Sequence, residues 1–346
     1  MDSGITELLA YYWDDSDYTI ESVPFGMTNL TKIIRFREET YVARIYDPQT
    51  KDVQRLQFEI ELTSFLHQLS LPFAVPDFIP TRAGNYYVKL SNPTRLGAIV
   101  RYIQGETPNQ ARAEHVEEMG RTSGRLSAAL RLFKPTTAFP KLMFHHLDTL
   151  HPLSNAVILK RFLADPPFAM NVEGAPLILS LLDELESYKE ELDTLPQHIV
   201  HHDLLIFNLL IGPDDHMSGV LDFDFASTDL RVMELAISLN HQLQYDDSSL
   251  QAVQAFTEHY TRHTTITSAE IAYLPLLMRV YYAALLTLYV GQHEAGKDIK
   301  VPFHFLLEQL IIRSRWLKKH EKELIKIMNS YCTTNLTFTE NDTYQL

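Results

Sequence analysis

Four polar residues in the second half of the chain have types and spacing suited to the transfer of a charged group. His201, Asp203 and Asn208 follow the spacing H-x-D-x-x-x-x-N, and Asp222 ends a short apolar run further on. Phosphoryl transfer needs a base for a hydroxyl proton and ligands that hold Mg²⁺ against the phosphate charge. Carboxylate and amide oxygens are the hard ligands that suit Mg²⁺. The pattern therefore predicts phosphoryl-transfer chemistry.

The same spacing is the catalytic-loop pattern of kinases, and Asp222 is placed like the aspartate of their Asp-Phe-Gly motif. With these motifs the chain resembles the aminoglycoside phosphotransferase family, a branch of the protein-kinase-like superfamily that includes choline kinases and type II homoserine kinases. That family usually has His-Gly-Asp-Leu and Gly-x-Ile-Asp-Phe. This chain has His-His-Asp-Leu at 201–204 and Gly-Val-Leu-Asp-Phe at 219–223, and Glu234 replaces a usual aspartate. The run 218–239 is most similar to homoserine-kinase-like proteins.

The resemblance implies a role for each residue of the pattern. ATP is the expected co-substrate and Mg²⁺ the expected cofactor. Asp203 is then the catalytic base, while Asn208 and Asp222 are the Mg²⁺ ligands. His201 is expected to orient the loop by hydrogen bonding rather than to titrate.

A basic residue in the first hundred positions is the candidate phosphate ligand. Val-Ala-Arg at 42–44 stands where kinases have Val-Ala-Ile-Lys, so Arg44 is expected to contact the α- and β-phosphates. Arginine binds phosphate through a planar fork, which preserves the charge but changes the reach. Glu59 is the expected ion-pair partner of Arg44, with Glu61 as the alternative. The competing interpretation is an exposed strand arginine and a solvated helix glutamate.

Two further segments are assigned to the nucleotide by the resemblance. The loop at 24–29, with Gly26, Thr28 and Asn29, is expected to cover the phosphates, although the segment fits a plain turn equally well. The backbone of Val100, Tyr102 and Ile103 is expected to form an adenine-binding hinge.

Two residues beside the motif have open roles. His202 replaces the family's glycine, which suggests either a positive φ angle or a side chain that faces the acceptor pocket. Asp224 either assists the metal, binds a substrate ammonium group, or is a structural carboxylate at an alternate strand position.

The elements that must position these residues form two groups. The residues 30–36 and 40–46 predict a hairpin, 52–69 a helix, and 86–90 and 96–103 two more strands. Beyond 104–108, long amphipathic helices are predicted over 114–133, 176–195 and 303–329. Short strands are predicted at 198–201, 209–211 and 218–222, around the motif.

This order predicts an α+β, protein-kinase-like bilobal fold, with a small antiparallel-sheet N-lobe and a larger helical C-lobe. We expect a nucleotide-binding lobe over 1–103, a helical catalytic and acceptor lobe over 104–332, and a polar tail over 333–346.

Composition limits the class of partner and the compartment. The 346 residues carry 30 Lys and Arg against 44 Asp and Glu, a net charge of −14, which disfavours nucleic acid and weakly favours a cationic substrate. Cys332 is the only cysteine, so no internal disulfide is expected. The residues 1–12 lack the pattern of a signal peptide, and the apolar run 274–291 is shorter than a membrane span and predicts a buried helix. A cytoplasmic protein without a membrane partner is expected, as a monomer or homodimer.

The predicted activity is transfer of the ATP γ-phosphate to a hydroxyl of a small metabolite. An amino alcohol or aminosugar is the expected acceptor, and homoserine and sugars stay open. Two other hypotheses are a non-catalytic nucleotide-binding pseudokinase and a metallohydrolase that uses His201, Asp203, Asp222 and Asp224 as ligands. For the histidines at 145, 146 and 151 a surface or packing role is favoured over a metal site, because no carboxylate constellation can be identified for them.

Overall fold

A computed structural model describes most of the chain, which divides into two compact units. The described residues are 3–15, 17–23, 29–48, 51–91, 94–136, 141–242 and 249–331. The first unit comprises Met1–Thr107, Phe133–Phe139 and Asn208–Phe225, and the second comprises Pro108–Leu132, Pro140–Phe207 and Ala226–Leu346. The predicted tail at 333–346 lies outside the described residues. The functional division into lobes at 1–103 and 104–332 stays a prediction.

The first unit is built on an antiparallel sheet of five strands. The strands are β1 (Tyr18–Ser22), β2 (Leu30–Phe36), β3 (Glu39–Ile45), β4 (Val88–Ser91) and β5 (Thr94–Arg101), in the order β1-β2-β3-β5-β4. The predicted hairpin is confirmed as β2 and β3, with Phe36 opposite Glu39. Arg37 makes the tight turn with a positive φ of 57°, an angle that turns between paired strands require.

Two helices cover this sheet because its strands are apolar on both faces. Helix α1 (Ser3–Ala10) packs with one buried cluster that includes Ala43 and Ile45. Helix α2 (Val53–His67) contributes Leu56 to a second cluster with Tyr46 and Val100. Asp52 starts α2, since its Oδ1 accepts a hydrogen bond from Arg55 N at 2.8 Å. The helix predicted over 52–69 is therefore confirmed.

A separate hairpin brings the second half of the motif into the first unit. Strands β7 (Leu209–Ile211) and β8 (Met217–Val220) pair with each other, and Gly219 bridges to Ala74. A Cβ atom on Gly219 would lie 2.5 Å from Ile103 Cγ2, so this close approach requires glycine. The hairpin fixes the residues at its two ends, Asn208 and the segment from Asp222 to Asp224.

The second unit is mainly helical. Its helices are α3 (Ala113–Leu132), α4 (Ala156–Ala164), α5 (Gly174–Ser187), α6 (Lys189–Asp193), α7 (Arg231–Gln242), α8 (Ser249–Tyr260), α9 (Ser268–Glu294) and α10 (Lys300–Ser330). Strand β6 (Gln197–Val200) pairs antiparallel with β9 (Ser227–Leu230). The helices predicted over 114–133 and 303–329 are confirmed, whereas 176–195 divides into α5 and α6 at Tyr188. The α+β class, with a small antiparallel sheet and a larger helical part, is confirmed.

The long helix α9 is mostly buried. It begins at Thr267, whose hydroxyl accepts from Glu270 N while Glu270 accepts from Thr267 N, a capping box. Its length and hydropathy would allow it to cross a membrane, but 72% of its most apolar window is buried inside the protein. This degree of burial is typical of a core helix, as the sequence predicted for 274–291.

Candidate active site

The residues predicted to act together are divided between the two units. Those in the first unit are Asn29, Arg44, Glu59, Val100, Tyr102, Ile103, Asn208, Asp222 and Asp224, and those in the second are His201, His202 and Asp203. Gly26 and Thr28 lie outside the described residues, so the expected phosphate loop stays a prediction.

A cluster of charged side chains forms around the end of β8 in the first unit. Lys51 Nζ lies 2.5 Å from Glu59 Oε2 and 2.8 Å from Asp224 Oδ1. Arg44 Nη1 lies 3.6 Å from Asp222 Oδ1. We call these five residues the charge cluster. They come from β3, the segment before α2, α2 itself and the segment after β8, so only the folded first unit assembles them.

The prediction that Glu59 pairs with Arg44 is wrong. Its partner is Lys51, whose side chain is 2% exposed and lies between two carboxylates. Arg44 points instead toward Asp222. Lys51 occupies the segment between β3 and α2, and this position lets its ammonium group reach the first turns of α2 and the end of β8. Lys51 could not be identified from the sequence, because this residue follows β3 rather than lying on it.

Both carboxylate oxygens of Asp224 accept hydrogen bonds within the first unit. Its Oδ1 accepts from Lys51 Nζ, and its Oδ2 accepts from Asn29 Nδ2, both at 2.8 Å. Burial opposes its ionisation, but Lys51 and Arg44 hold the pKa of Asp224 well below its usual range. Asn29 also accepts from Asp47 N at 3.2 Å, so its side chain connects the start of β2 to the charge cluster.

The pKa of Asp222 is shifted in the opposite direction to that of Asp224. Burial and the neighbouring charge of Asp224 raise the pKa of Asp222, although Arg44 and Lys51 oppose the change. Its Oδ1 is buried and accepts no hydrogen bond within the described part of the chain. Its backbone has a positive φ of 64°, which costs energy for any residue but glycine. The structure thus holds one carboxylate oxygen in a strained, poorly compensated position.

The two predicted metal ligands are connected through the backbone. Asn208 ends a 3₁₀ turn (Ile206–Asn208) immediately before β7. Its carbonyl oxygen accepts from Leu221 N at 2.8 Å, so Asn208 lies beside the residue that precedes Asp222. Their use as a metal site is developed as a proposal below.

The residues expected to form the adenine hinge make some of their contacts within the sheet. Tyr102 N donates to the Thr40 carbonyl at 3.1 Å, so in this structure its amide serves the sheet. Val100 lies opposite Val42 in the sheet, and Ile103 packs against Gly219. The roles of Val100 and Ile103 toward adenine stay predictions.

In the second unit, the loop that carries Asp203 is fixed by buried polar contacts. His201 is fully buried; its backbone N donates to Glu234 Oε2, and its Nδ1 accepts from Asp203 N at 3.2 Å. Burial raises the pKa of Glu234 to about 7, although the hydrogen bond from His201 opposes this. These contacts fit the positioning role expected for His201.

His202 adopts the backbone angle that the glycine of related motifs suggests. Its φ is 65°, and its ring is buried against Phe144, with ring centroids 4.4 Å apart. Nε2 donates to Asp229 Oδ2 at 2.8 Å. The side chain is therefore held in the interior of the second unit, and these contacts compensate for the strained backbone.

Asp203 itself lies near tyrosines of α9. Burial raises the pKa of Tyr281 far above its usual range, and the negative charge of Asp203 raises it further. The pKa of Tyr289 is raised by the same two causes in the same order. From its sequence this helix was interpreted only as apolar core. The tyrosines within it were the signal that could have indicated a position near Asp203.

Comparison with known proteins places this arrangement in a family. The profile of the phosphotransferase enzyme family (APH) matches residues 19–265, more than half of the chain. The chain belongs to the phosphotransferase enzyme family. It resembles a homoserine kinase of Methylobacterium radiotolerans, with 28% identity over 283 residues that cover 80% of this chain and 82% of that protein.

Solved structures of other kinases share the fold. A microcompartment-associated aminopropanol kinase matches with a TM-score of 0.72 and 15% identity, covering 93% of this chain and 98% of that one. Amicoumacin kinase hAmiN, in complex with AMP-PNP, Ca²⁺ and Ami, matches with a TM-score of 0.64 and 14% identity, covering 94% and 92%. The family resemblance read from the motifs is confirmed: the protein is a small-molecule kinase, and its kinase relatives imply ATP as co-substrate.

The charge cluster predicts the effect of removing Lys51. We expect Lys51→Met to lower the free energy of unfolding by about 3–5 kcal/mol, because Glu59 and Asp224 would lose their buried counter-charge. Lys89→Met, an exposed lysine on β4, is the matched control and should change stability little. Urea denaturation followed by circular dichroism measures both. Equal stability of the two variants would contradict the assignment, and Lys51→Met/Glu59→Gln should recover part of the loss.

Burial of Glu234 predicts a pH-dependent difference in stability. The pKa of Glu234 rises from 4.5 to about 7 on folding, so the native state binds the proton more tightly and stability falls as pH increases through this range. Glu234→Gln does not titrate. Its stability relative to wild type should therefore rise by up to about 3 kcal/mol between pH 5 and pH 8. Thermal unfolding at both values tests this, with exposed Glu323→Gln as control; a pH-independent difference would contradict it.

Proposed function

We propose that the protein transfers the γ-phosphate of ATP to the hydroxyl group of a small metabolite that also carries an amino group, in a reaction that depends on Mg²⁺. Homoserine is the acceptor we favour. Asp203 is the base, Asn208 and Asp222 are the metal ligands, and Arg44 with Lys51 forms the cationic side of the nucleotide site.

The observation that carries this proposal is the composition of the charge cluster. Three carboxylates, Glu59, Asp222 and Asp224, surround two cations, Arg44 and Lys51, so carboxylates outnumber cations in the charge cluster. Burial is the main cause that raises the pKa of Glu59 to about 7, and it also raises the pKa of Asp222. Asp224 and Glu59 share Lys51, which leaves Asp222 as the carboxylate with the weakest partner. A divalent cation is the counter-ion that such a surplus favours.

The donor set fits Mg²⁺ in particular. Asp222 offers a buried carboxylate oxygen without a hydrogen bond, and Asn208 offers an amide oxygen, both hard ligands. Bound Mg²⁺ supplies neutralisation of the charge on the phosphate oxygens. Arg44, whose Nε is buried without a hydrogen bond in the described structure, retains donors for phosphate.

The second unit supplies an oriented base. A base must be held so that its carboxylate meets the acceptor hydroxyl, since geometry precedes pKa in general base catalysis. The bonds of His201 to Glu234 and to Asp203 N, and that of His202 to Asp229, hold the segment that leads into Asp203. Asp203 then accepts the hydroxyl proton as the phosphoryl group is transferred.

The proposed acceptor rests on the relatives and on the charge of the chain. Relatives that match this chain are named homoserine kinases, and a structure that matches it is named an aminopropanol kinase. Both names describe a substrate that carries an amino group and a hydroxyl group. The net charge of −14 favours an acceptor that carries an ammonium group.

The metallohydrolase hypothesis loses support from the same contacts. Both carboxylate oxygens of Asp224 are occupied by Lys51 and Asn29, and Nδ1 of His201 accepts from Asp203 N. These atoms would have to be released before they could bind a transition metal. A cytoplasmic location, the absence of nucleic-acid and membrane partners, and a monomeric or homodimeric state stay predictions.

The assigned roles predict the kinetics of two substitutions. Asp203→Asn and Asp222→Asn should each lower kcat about 10²–10⁴-fold, because each removes a group that acts on the transition state. The circular dichroism spectrum should be unchanged. ADP release, measured by a coupled assay, reports the rates, and exposed Asp183→Asn on α5 is the control. Near-normal turnover by either folded variant would refute its role.

The acceptor class predicts an order of substrates. We expect homoserine to give the highest kcat/KM in a panel with aminopropanol, choline and kanamycin, with a difference of about tenfold or more between amino alcohol and aminoglycoside. Phosphorus NMR of the products confirms transfer to a hydroxyl group. Preference for kanamycin would overturn the acceptor but not the kinase chemistry. Nucleotide binding without turnover on the whole panel would favour the pseudokinase.

A further inference from the structure

Two adjacent histidines and one aspartate converge in the second unit, away in sequence from the kinase motifs. His145 Nε2 lies 2.9 Å and His146 Nε2 lies 2.6 Å from the same oxygen, Oδ1 of Asp193 at the end of α6. We call these three residues the histidine cluster. The sequence favoured a surface or packing role over a metal site for both histidines because no carboxylate could be identified, and the structure now identifies one.

The ring of His145 lies between two carboxylates. It is fully buried, and its other nitrogen, Nδ1, lies 3.7 Å from the buried Asp229 Oδ1. Nδ1 makes no hydrogen bond among the described residues. A ring with its proton on Nε2 would turn a lone pair toward Asp229, whereas a ring with its proton on Nδ1 would turn a lone pair toward Asp193.

A cation beside the ring satisfies every contact. With the proton on Nδ1, His145 donates toward Asp229 and presents the Nε2 lone pair to the cation, as do His146 and Asp193. Histidines that bind metal ions commonly donate their second N–H to a carboxylate in this way. Asp229 is well suited to this role, because it already accepts from Phe144 N and His202 Nε2 and is completely buried.

We propose that His145, His146 and Asp193 bind one divalent transition-metal cation of the zinc type, with Asp229 orienting His145. Two imidazole nitrogens and one carboxylate oxygen are a zinc donor set that leaves a fourth position open to water. Mg²⁺ and Ca²⁺ are disfavoured, because they require sets dominated by oxygen ligands. The site is therefore chemically distinct from Asn208 and Asp222.

The geometry is close to what a tetrahedral site needs. Ligand atoms about 2.1 Å from a metal lie about 3.4 Å from one another, so the observed separations of 2.9 and 2.6 Å must increase by about 0.5–0.8 Å. His145 is fixed by burial. His146 and Asp193 have side chains 27% and 45% exposed and can make this adjustment at the surface.

Binding would stabilise the loop that carries Asp203. The cation would connect residues 145 and 146 to the end of α6, and His145 would donate to Asp229, which also holds His202. His202 immediately precedes Asp203. The proposed ion is therefore structural, and its loss should loosen the loop rather than remove a reacting group.

Metal titration of the full-length protein tests the proposal. Protein stripped with a chelator is titrated with Co²⁺, whose visible absorption reports tetrahedral nitrogen and oxygen coordination, and Zn²⁺ competition is measured by calorimetry. We expect one equivalent per chain. Asp193→Asn and His146→Ala, both at partly exposed positions, should weaken Zn²⁺ binding by about tenfold or more. Asp183→Asn is the surface control, and Asp222→Asn should retain the Co²⁺ spectrum.

Three results would overturn the site. One is wild-type protein that shows no tetrahedral Co²⁺ spectrum and no Zn²⁺ uptake. Another is wild-type affinity in both folded variants. The third is loss of the spectrum in Asp222→Asn but not in Asp193→Asn, which would assign the ion to the nucleotide site. Because the readout is metal binding, failure of the proposed kinase reaction would leave this test unaffected.

Discussion

The first unit depends on a cluster of charged side chains in which carboxylates outnumber cations. Lys51 and Arg44 face three carboxylates, and the chain distributes them so that Asp224 is fully compensated while Asp222 is not. Asp222 also has a strained backbone, with φ at 64°. These two features support the proposal that Asp222 binds a cation.

In the second unit, buried hydrogen bonds orient the loop that carries Asp203. His201 and His202 are both buried, and each uses a carboxylate of the same unit, Glu234 or Asp229. His202 has a positive φ and forms a bend just before Asp203. A glycine would adopt this backbone angle without strain. The histidine adopts it at a cost, and its hydrogen bond orders the loop. Asp229 extends the same network to the histidine cluster.

Local sequence patterns predicted most of the individual helices and strands. The hairpin of β2 and β3, helix α2, and the long helices α3 and α10 follow from alternation, apolar spacing and capping residues that act over a few positions. The motif residues were identifiable because their spacing is fixed by one loop and one hairpin. Lys51 was not, since its partners are set by the approach of α2 and β8. Asp193 was missed for the same reason: only tertiary structure brings it to His145 and His146, 48 and 47 residues away.

The central claim is that Asp222 and Asn208 complete a divalent-cation site that the bound nucleotide requires. Calorimetric titration with AMP-PNP, in the presence of Mg²⁺ and then of EDTA, tests it most directly. The account predicts that Mg²⁺ tightens nucleotide binding by about tenfold or more in the wild type and that Asp222→Asn abolishes this gain while remaining folded. Equal affinity with and without Mg²⁺ in the wild type, or an undiminished gain in the variant, would contradict it.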